Sequence, residues 1–95
     1  MRYLVSSAWT IELTEIARKN LANIGHADAV RIRKFLDQRV ATASNPRLIG
    51  KPLTGKELRG FWRYRVGDYR IICDVQDNRL VVLVIEIGHR REIYR

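Results

Sequence analysis

One cysteine leaves no partner for an internal disulfide, so a disulfide framework is excluded and a reducing, cytoplasmic setting is expected. Two histidines, scattered carboxylates and the lack of any H-x-x-x-H or C-x-x-C spacing leave no metal-hydrolase signature, so no metal or other cofactor is expected. No Ser/His/Asp or Cys/His arrangement suggests a nucleophilic triad. The glycine-rich stretch "GKPLTGKELRG" (50–60) leads into a strand rather than a helix, which sets it apart from phosphate-binding loops. No apolar run is long enough to span a membrane, and "MRYLVSSAW" lacks the apolar stretch and cleavage site of a signal peptide. Negative charge is scarce as well: ten Asp+Glu stand against eighteen Lys+Arg, a net charge of +8. That balance points to nucleic acid, an anionic surface or an acidic protein partner. What remains is a soluble composition, 46% hydrophobic and 29% charged, which suits one domain over residues 1–95.

The positive charge is concentrated where the pattern is most strand-like. In "FWRYRVGDYRI" (61–71), Trp62, Tyr64 and Val66 alternate with Arg63 and Arg65 at the period of a half-buried strand. Gly67-Asp68 suits a two-residue hairpin loop of type II′. That register sets Val66 against Tyr69, Arg65 against Arg70, Tyr64 against Ile71 and Arg63 against Ile72. Trp62, Tyr64, Val66, Tyr69, Ile71 and Cys73 then share one face, and Arg63, Arg65 and Arg70 the other. Like charges directly opposite are destabilising, so an anion outside the chain is the expected compensation. On the apolar face, Cys73 reads as a buried, inert thiol and the aromatics as core.

Elsewhere the apolar spacing predicts a short strand at 2–7, then a helix from Ala8 to Ile24 with Ser7 as its cap and Gly25 as its stop. A second helix is expected from Ala27 to Ala43, its apolar stripe Ala29, Ile32, Leu36, Val40 and Ala43 backed by a charged face that includes Arg31 and Arg39. His26, at the link, has no assigned role. Residues 44–60 form an irregular basic connector carrying Arg47, Lys51, Lys56 and Arg59 as candidate phosphate contacts. Strands at 61–66, 69–75 and 80–87 complete a β-α-α-β-β-β order. Asp68 and Asp77 serve turns. The run "LVVLVIEI" reads as a central strand covered on both faces. The fold class is α+β, a helical hairpin on one face of a small, mostly antiparallel sheet whose other face is lined by arginines.

The tail "GHRREIYR" (88–95) can fold back to that arginine face and add His89, Arg90, Arg91 and Tyr94. Arginine accepts no proton near neutral pH, but its planar fork grips phosphate oxygens. Histidine and tyrosine can move protons or stack on a base. The alternatives are that His89 caps the strand end and that Tyr94 packs on the core; both readings stand. Such a cluster suits metal-free RNA cleavage, in which the 2′-hydroxyl attacks the adjacent phosphorus and the protein stabilises the developing charge.

"GKPLTG…LRGFWRYRVGDYRIICDV…LVVLVIEIGHRREIY" resembles the RelE/ParE superfamily of bacterial type II toxins, and the strand–helix–helix beginning agrees in order and length. The resemblance implies a RelE-like fold and a cognate antitoxin whose acidic or amphipathic segment wraps the toxin in a hetero-oligomer. RelE-like members enter the ribosomal A site and cut mRNA without a metal; ParE-like members inhibit DNA gyrase. The resemblance places the pre-turn basic pair at Arg63 and Arg65, the returning arginine at Arg70, the arginine after the last strand's glycine at Arg90 and the terminal aromatic at Tyr94. Two departures stand out. Arginines occupy the pair that is often lysine, which leaves His89 as the expected proton-transfer group. The sequence given ends at Arg95, short of the C-terminal helix found in some relatives. A non-enzymatic nucleic-acid-binding or antitoxin-binding module is a third reading of the same charge.

Overall fold

A 3.6-residue apolar period in the first half and a two-residue period from Trp62 onwards dictate helices and then strands. The computed structural model, which describes residues 8–56 and 59–93, realises both. In chain order come β1 (Thr10–Leu13), α1 (Glu15–Asn23), α2 (His26–Phe35), β2 (Lys51–Pro52), β3 (Trp62–Val66), β4 (Tyr69–Gln76), β5 (Val81–His89) and one closing turn, α3 (Arg90–Ile93). A π-helical turn, Leu36–Val40, continues α2, and a 3-10 turn, Pro46–Ile49, precedes β2. The strands form one sheet ordered β1-β5-β4-β3-β2, antiparallel except for the parallel pair of β1 and β5. The expected helical hairpin covers one face. Among the described residues no helix is long and apolar enough to cross a membrane.

The beginning departs from the expected pattern. The strand expected at 2–7 and Ser7, the expected helix cap, lie outside the described residues, and the helix expected from Ala8 starts at Glu15. Thr10 and Ile11 are β-branched and favour a strand, which here finds β5 as its partner, Thr10 opposite Val81 and Leu13 opposite Val84. Thr14 is the true cap: its hydroxyl accepts the Ala17 N–H at 3.1 Å. Gly25 does not end α1 in a left-handed conformation. At φ −54° it opens α2, its carbonyl accepting the Ala29 N–H at 2.9 Å. Within the connector, Lys51–Pro52 pairs with Trp62 and Arg63 as a two-residue strand that the punctuated sequence did not signal.

Ala17 of α1 and Ile32, Leu36 and Val40 of α2 and its π turn pack on Tyr64, Ile71, Cys73, Val75, Val82, Val84 and Ile87 of the sheet. Each large apolar side chain buried this way contributes about 1.5–3 kcal/mol before entropy is charged against it. Tyr64 is the anchor beneath α2. Phe35 meets its ring edge-on at 5.6 Å, and its hydroxyl donates to the Pro46 carbonyl at 2.8 Å. Gly50 lets the backbone pass beside it, because a Cβ there would lie 2.7 Å from the Arg63 carbonyl and 2.8 Å from the Tyr64 ring. Cys73 is buried as expected, and burial pushes its thiol pKa up.

β5 lies inside the sheet, but it is covered on both faces only at its Val81 end; Leu83 is half-buried and Glu86 exposed. The strand also carries a bulge. Ile71 faces Ile87 and Ile72 faces Glu86, yet Cys73 faces Val84, so Ile85 is an extra residue without a partner on β4. α1 holds the bulged edge. Thr14 donates its backbone N–H to the Val84 carbonyl at 3.0 Å and its hydroxyl to the Ile85 carbonyl at 2.6 Å. The Asn20 side-chain oxygen accepts the Ile87 N–H at 3.0 Å. Past the end of β1, these groups occupy backbone positions that a neighbouring strand would otherwise fill.

Tyr64→Phe removes a buried hydroxyl and leaves the Pro46 carbonyl without its donor, so it is expected to cost about 1–2 kcal/mol. A lower urea midpoint at unchanged slope is the expected reading; an unchanged midpoint would remove this bond from the account. Cys73 in the native protein should resist a thiol reagent such as Ellman's and react at the rate of global unfolding. Fast labelling of the native state would contradict its burial.

Candidate functional site

The hairpin of β3 and β4 has the expected register: Val66 faces Tyr69, Arg65 faces Arg70, and Arg63 faces Ile72. Gly67 at φ +58° followed by Asp68 at negative φ is the conformation a type II′ turn demands. Arg63, Arg65 and Arg70 therefore share the sheet face opposite the helices. Their environments differ. Arg65 is exposed, Arg63 is half-buried, and Arg70 is only 7% exposed, its Nη1 donating to the Gly67 carbonyl at 3.3 Å and the Tyr69 carbonyl at 3.2 Å.

Lys51 joins this group through β2, directly opposite Arg63. Arg90 joins it from the other side. Its backbone N–H donates to the Asp68 carbonyl at 2.8 Å, and its Nε lies 3.9 Å from the Asp68 carboxylate, which docks α3 against the hairpin turn. Arg91 is exposed on α3. Tyr94 lies outside the described residues. Lys56 and Arg59 are exposed in the loop between β2 and β3.

Two expected members are elsewhere. The bulge at Ile85 inverts the alternation of β5, so His89 faces Tyr69 on the helix side instead of joining the arginines. Its ring meets the Tyr69 ring edge-on at 5.8 Å, and its Nδ1 accepts the Arg91 N–H at 3.2 Å, which leaves the proton of the neutral ring on Nε2. His89, Tyr69, Asn20 and Asn23 line a separate polar cleft of about 270 Å³. Arg47 is drawn to the other end of β4. Its Nη1 and Nη2 grip the Asp77 carboxylate at 3.1 and 2.6 Å, and Nη2 also reaches the Val75 carbonyl at 3.3 Å. It is a tie between the 3-10 turn and the β4–β5 loop, five residues along the strand from Arg70.

α2 and its π-helical continuation supply cations, Arg31 and Arg39, that the sequence pattern assigns only to a charged face. β2 covers only Trp62 and Arg63, so the edge of β3 beyond them is open. There Phe35 and Arg39, the stretch Ile49–Lys51, and Arg63 and Arg65 line a groove of about 270 Å³. The Arg39 guanidinium lies 5.7 Å from the Phe35 ring centre, a cation–π contact. The Arg31 guanidinium lies over the hairpin turn, 3.4 Å from where a Cβ of Gly67 would stand. Arg31, Phe35 and Arg39 recur every four residues, one line on a helix, and that spacing is the sequence signal for them. The bulge also brings Glu86 onto the arginine face, opposite Ile72. Among the described residues no three His, Cys, Asp or Glu side chains cluster as metal ligands. The site is thus a charged surface able to hold successive phosphates, with an apolar ring and an apolar wall within the same groove.

The ion pair of Arg47 and Asp77 carries a pH signature. The Arg47 hydrogen bond holds the Asp77 carboxyl below its ordinary value. A depressed carboxylate contributes stability that is complete above the unfolded-state pKa and lost as pH falls through the folded one. Asp77→Asn should therefore lower the thermal midpoint at neutral pH, with the gap to the native protein closing below about pH 4. A gap independent of pH would assign the effect to packing.

The family described as the ParE toxin of the type II toxin–antitoxin system parDE matches residues 11–94. The toxin RelG of Mycobacterium tuberculosis is 29% identical over 87 residues, covering 92% of this chain and 97% of that toxin. The toxin RelE of the same organism is 33% identical over 79 residues, 73% of this chain and 80% of its own length. Among solved structures, the RelBE2 toxin–antitoxin complex of Mycobacterium tuberculosis superposes with a TM-score of 0.77 at 27% identity, over 86% of this chain and 98% of that one. The intact E. coli RelBE complex shares the fold at a TM-score of 0.66 and 18% identity, over 85% of this chain and 95% of that one.

Proposed function

This chain belongs to the RelE/ParE superfamily of type II toxins, and from that premise we propose that it is an endoribonuclease that enters the ribosomal A site and cuts mRNA without a metal. One observation carries the reading: Arg65 stands directly opposite Arg70 on the open sheet face, with Lys51, Arg63 and Arg90 beside them. Directly opposed like charges cost stability, and a phosphodiester that accepts their hydrogen bonds offsets the cost.

The chemistry follows from what guanidinium groups can do. The ribose 2′-oxygen attacks the adjacent phosphorus in line, the bond to the 5′-oxygen breaks, and negative charge builds on the non-bridging oxygens. Arg70 as a fixed donor and Arg65 as an accessible one, with Arg63 and Arg90 flanking, neutralise that charge. Lys51 and Arg39 of the groove, with Arg31 over the hairpin turn, hold the neighbouring phosphates, and Tyr94 stacks on a base. His89, across the sheet, takes no part at the scissile phosphate. A cognate antitoxin with an acidic or amphipathic segment silences the toxin by covering the same arginines, as expected of a chain whose relatives are solved as complexes with antitoxins.

A second reading, inhibition of DNA gyrase, is favoured by the match to the family described as the ParE toxin. Brief induction in cells followed by mapping of mRNA 5′ ends separates the two. Cuts within translated codons, abolished by Arg65→Ala with the fold retained, support the ribonuclease. Intact mRNA accompanied by gyrase poisoning in a supercoiling assay would overturn it in favour of the second reading.

Ribosome or RNA binding should also fall steeply with salt. If about four phosphates are neutralised, the logarithm of the affinity should fall with a slope of roughly −3 against the logarithm of salt concentration. A flat response would indicate a mainly apolar partner surface.

A further inference from the structure

Arginines hold phosphate but accept no proton near neutral pH, and the bulge has taken His89 to the other face. The same bulge puts a different group in place. Without the extra residue at Ile85, strict alternation from Val82 and Val84 would send Glu86 into the helix-covered core. With it, Glu86 lies opposite Ile72, on the face of Arg63, Arg65 and Arg70, and is exposed. Bulges of this kind re-aim side chains and recur beside active sites.

The sheet register locates Glu86 within the cluster. Arg63, Ile72 and Glu86 form one row across three strands, so Arg63 and Glu86 stand about 10 Å apart at the backbone. Arg65, Arg70 and Gly88 form the next row, which makes Arg70 the diagonal neighbour of Glu86, at about 7–8 Å and within reach of long side chains. Gly88, opposite Arg70, adds no side chain to this part of the face. Two neighbouring carboxylates are engaged: Asp68 with Arg90 in the turn, and Asp74 as the acceptor of the Gln76 side-chain amide at 3.1 Å.

We propose that Glu86 is the proton acceptor for the attacking 2′-hydroxyl, a reading that rests on the ribonuclease function proposed above. The carboxylate takes the 2′-hydroxyl proton as the O2′–P bond forms. The P–O5′ bond breaks, the departing 5′-oxygen takes a proton from water, and the carboxylic acid returns its own proton to water. No redox change and no added reactant are needed, and the products are a 2′,3′-cyclic phosphate and a 5′-hydroxyl.

The test is single-turnover cleavage by the full-length protein on ribosomes programmed with a defined A-site codon. Glu86→Gln, Glu86→Asp and Glu86→Gly with and without added formate are compared with the native chain. Binding is measured separately on ribosomes carrying a 2′-O-methylated, uncleavable codon. Glu86→Gln should lower the rate by about a hundredfold with binding retained, the scale of a lost acid–base group. Glu86→Asp should keep part of the rate, and formate should restore part of it to Glu86→Gly. A Glu86→Gln protein within about threefold of the native rate overturns the assignment and leaves the ribonuclease reading standing. Equal losses in Gln and Asp without formate rescue, or a loss explained by weaker binding, also overturn it. A native chain that cuts no codon overturns both readings together.

Discussion

The arrangement depends on one irregularity, the unpaired Ile85 in β5. A strand alternates its side chains strictly, so a single inserted residue exchanges the two faces for everything beyond it. Before the bulge, Val82 and Val84 are in the core; after it, Ile87 returns to the core, while Glu86 and Gly88 lie among the arginines. The bulge persists because its edge is supported. Thr14 caps α1 and simultaneously donates to the Ile85 carbonyl, and Asn20, two turns later, receives the Ile87 N–H. The start of α1 and the composition of the arginine face are thereby one problem with one solution.

Around that irregularity the cations divide by what they touch. Arg47 is fixed by Asp77 and ties the 3-10 turn to the far end of the sheet, beside the buried bond of Tyr64 to Pro46. Arg70, buried against the turn carbonyls, is preorganised, whereas Arg65 opposite it is exposed and available. A rigid donor beside an accessible one suits the stabilisation of charge that appears only during reaction, because little reorganisation is then required. The apolar face of the same hairpin provides the rigidity, with Tyr64, Ile71 and Cys73 all buried beneath the helices.

The hairpin was legible in the sequence because alternation, a glycine at the first loop position and a two-residue loop leave a single register. The helical hairpin on a mostly antiparallel sheet was legible for the same reason, from long periodic segments. Where the reading failed, local signals were degenerate. Ile11 and Leu13 satisfy a strand as readily as a helix, so the boundary at Thr14 was decided by the free edge of β5. Lys51–Pro52 is too short to carry a period. The bulge has no glycine or proline to announce it, since Ile85 is as good a strand residue as its neighbours. His89 therefore lies on the face opposite the one expected, Glu86 carried no expectation at all, and Arg47 gave no hint of its pairing thirty residues away. Arg31, Phe35 and Arg39 did carry a signal, their spacing of four, which was absorbed into a generic charged face.

The proposed role of this arginine face is to drive attack by the RNA's own 2′-hydroxyl. The chemistry of the cut ends tests it most directly. Products from purified toxin and programmed ribosomes should carry a 2′,3′-cyclic phosphate, or the 3′-phosphate derived from it, upstream and a 5′-hydroxyl downstream. Ends bearing a 3′-hydroxyl and a 5′-phosphate, which require an activated water, would rule out attack by the 2′-hydroxyl.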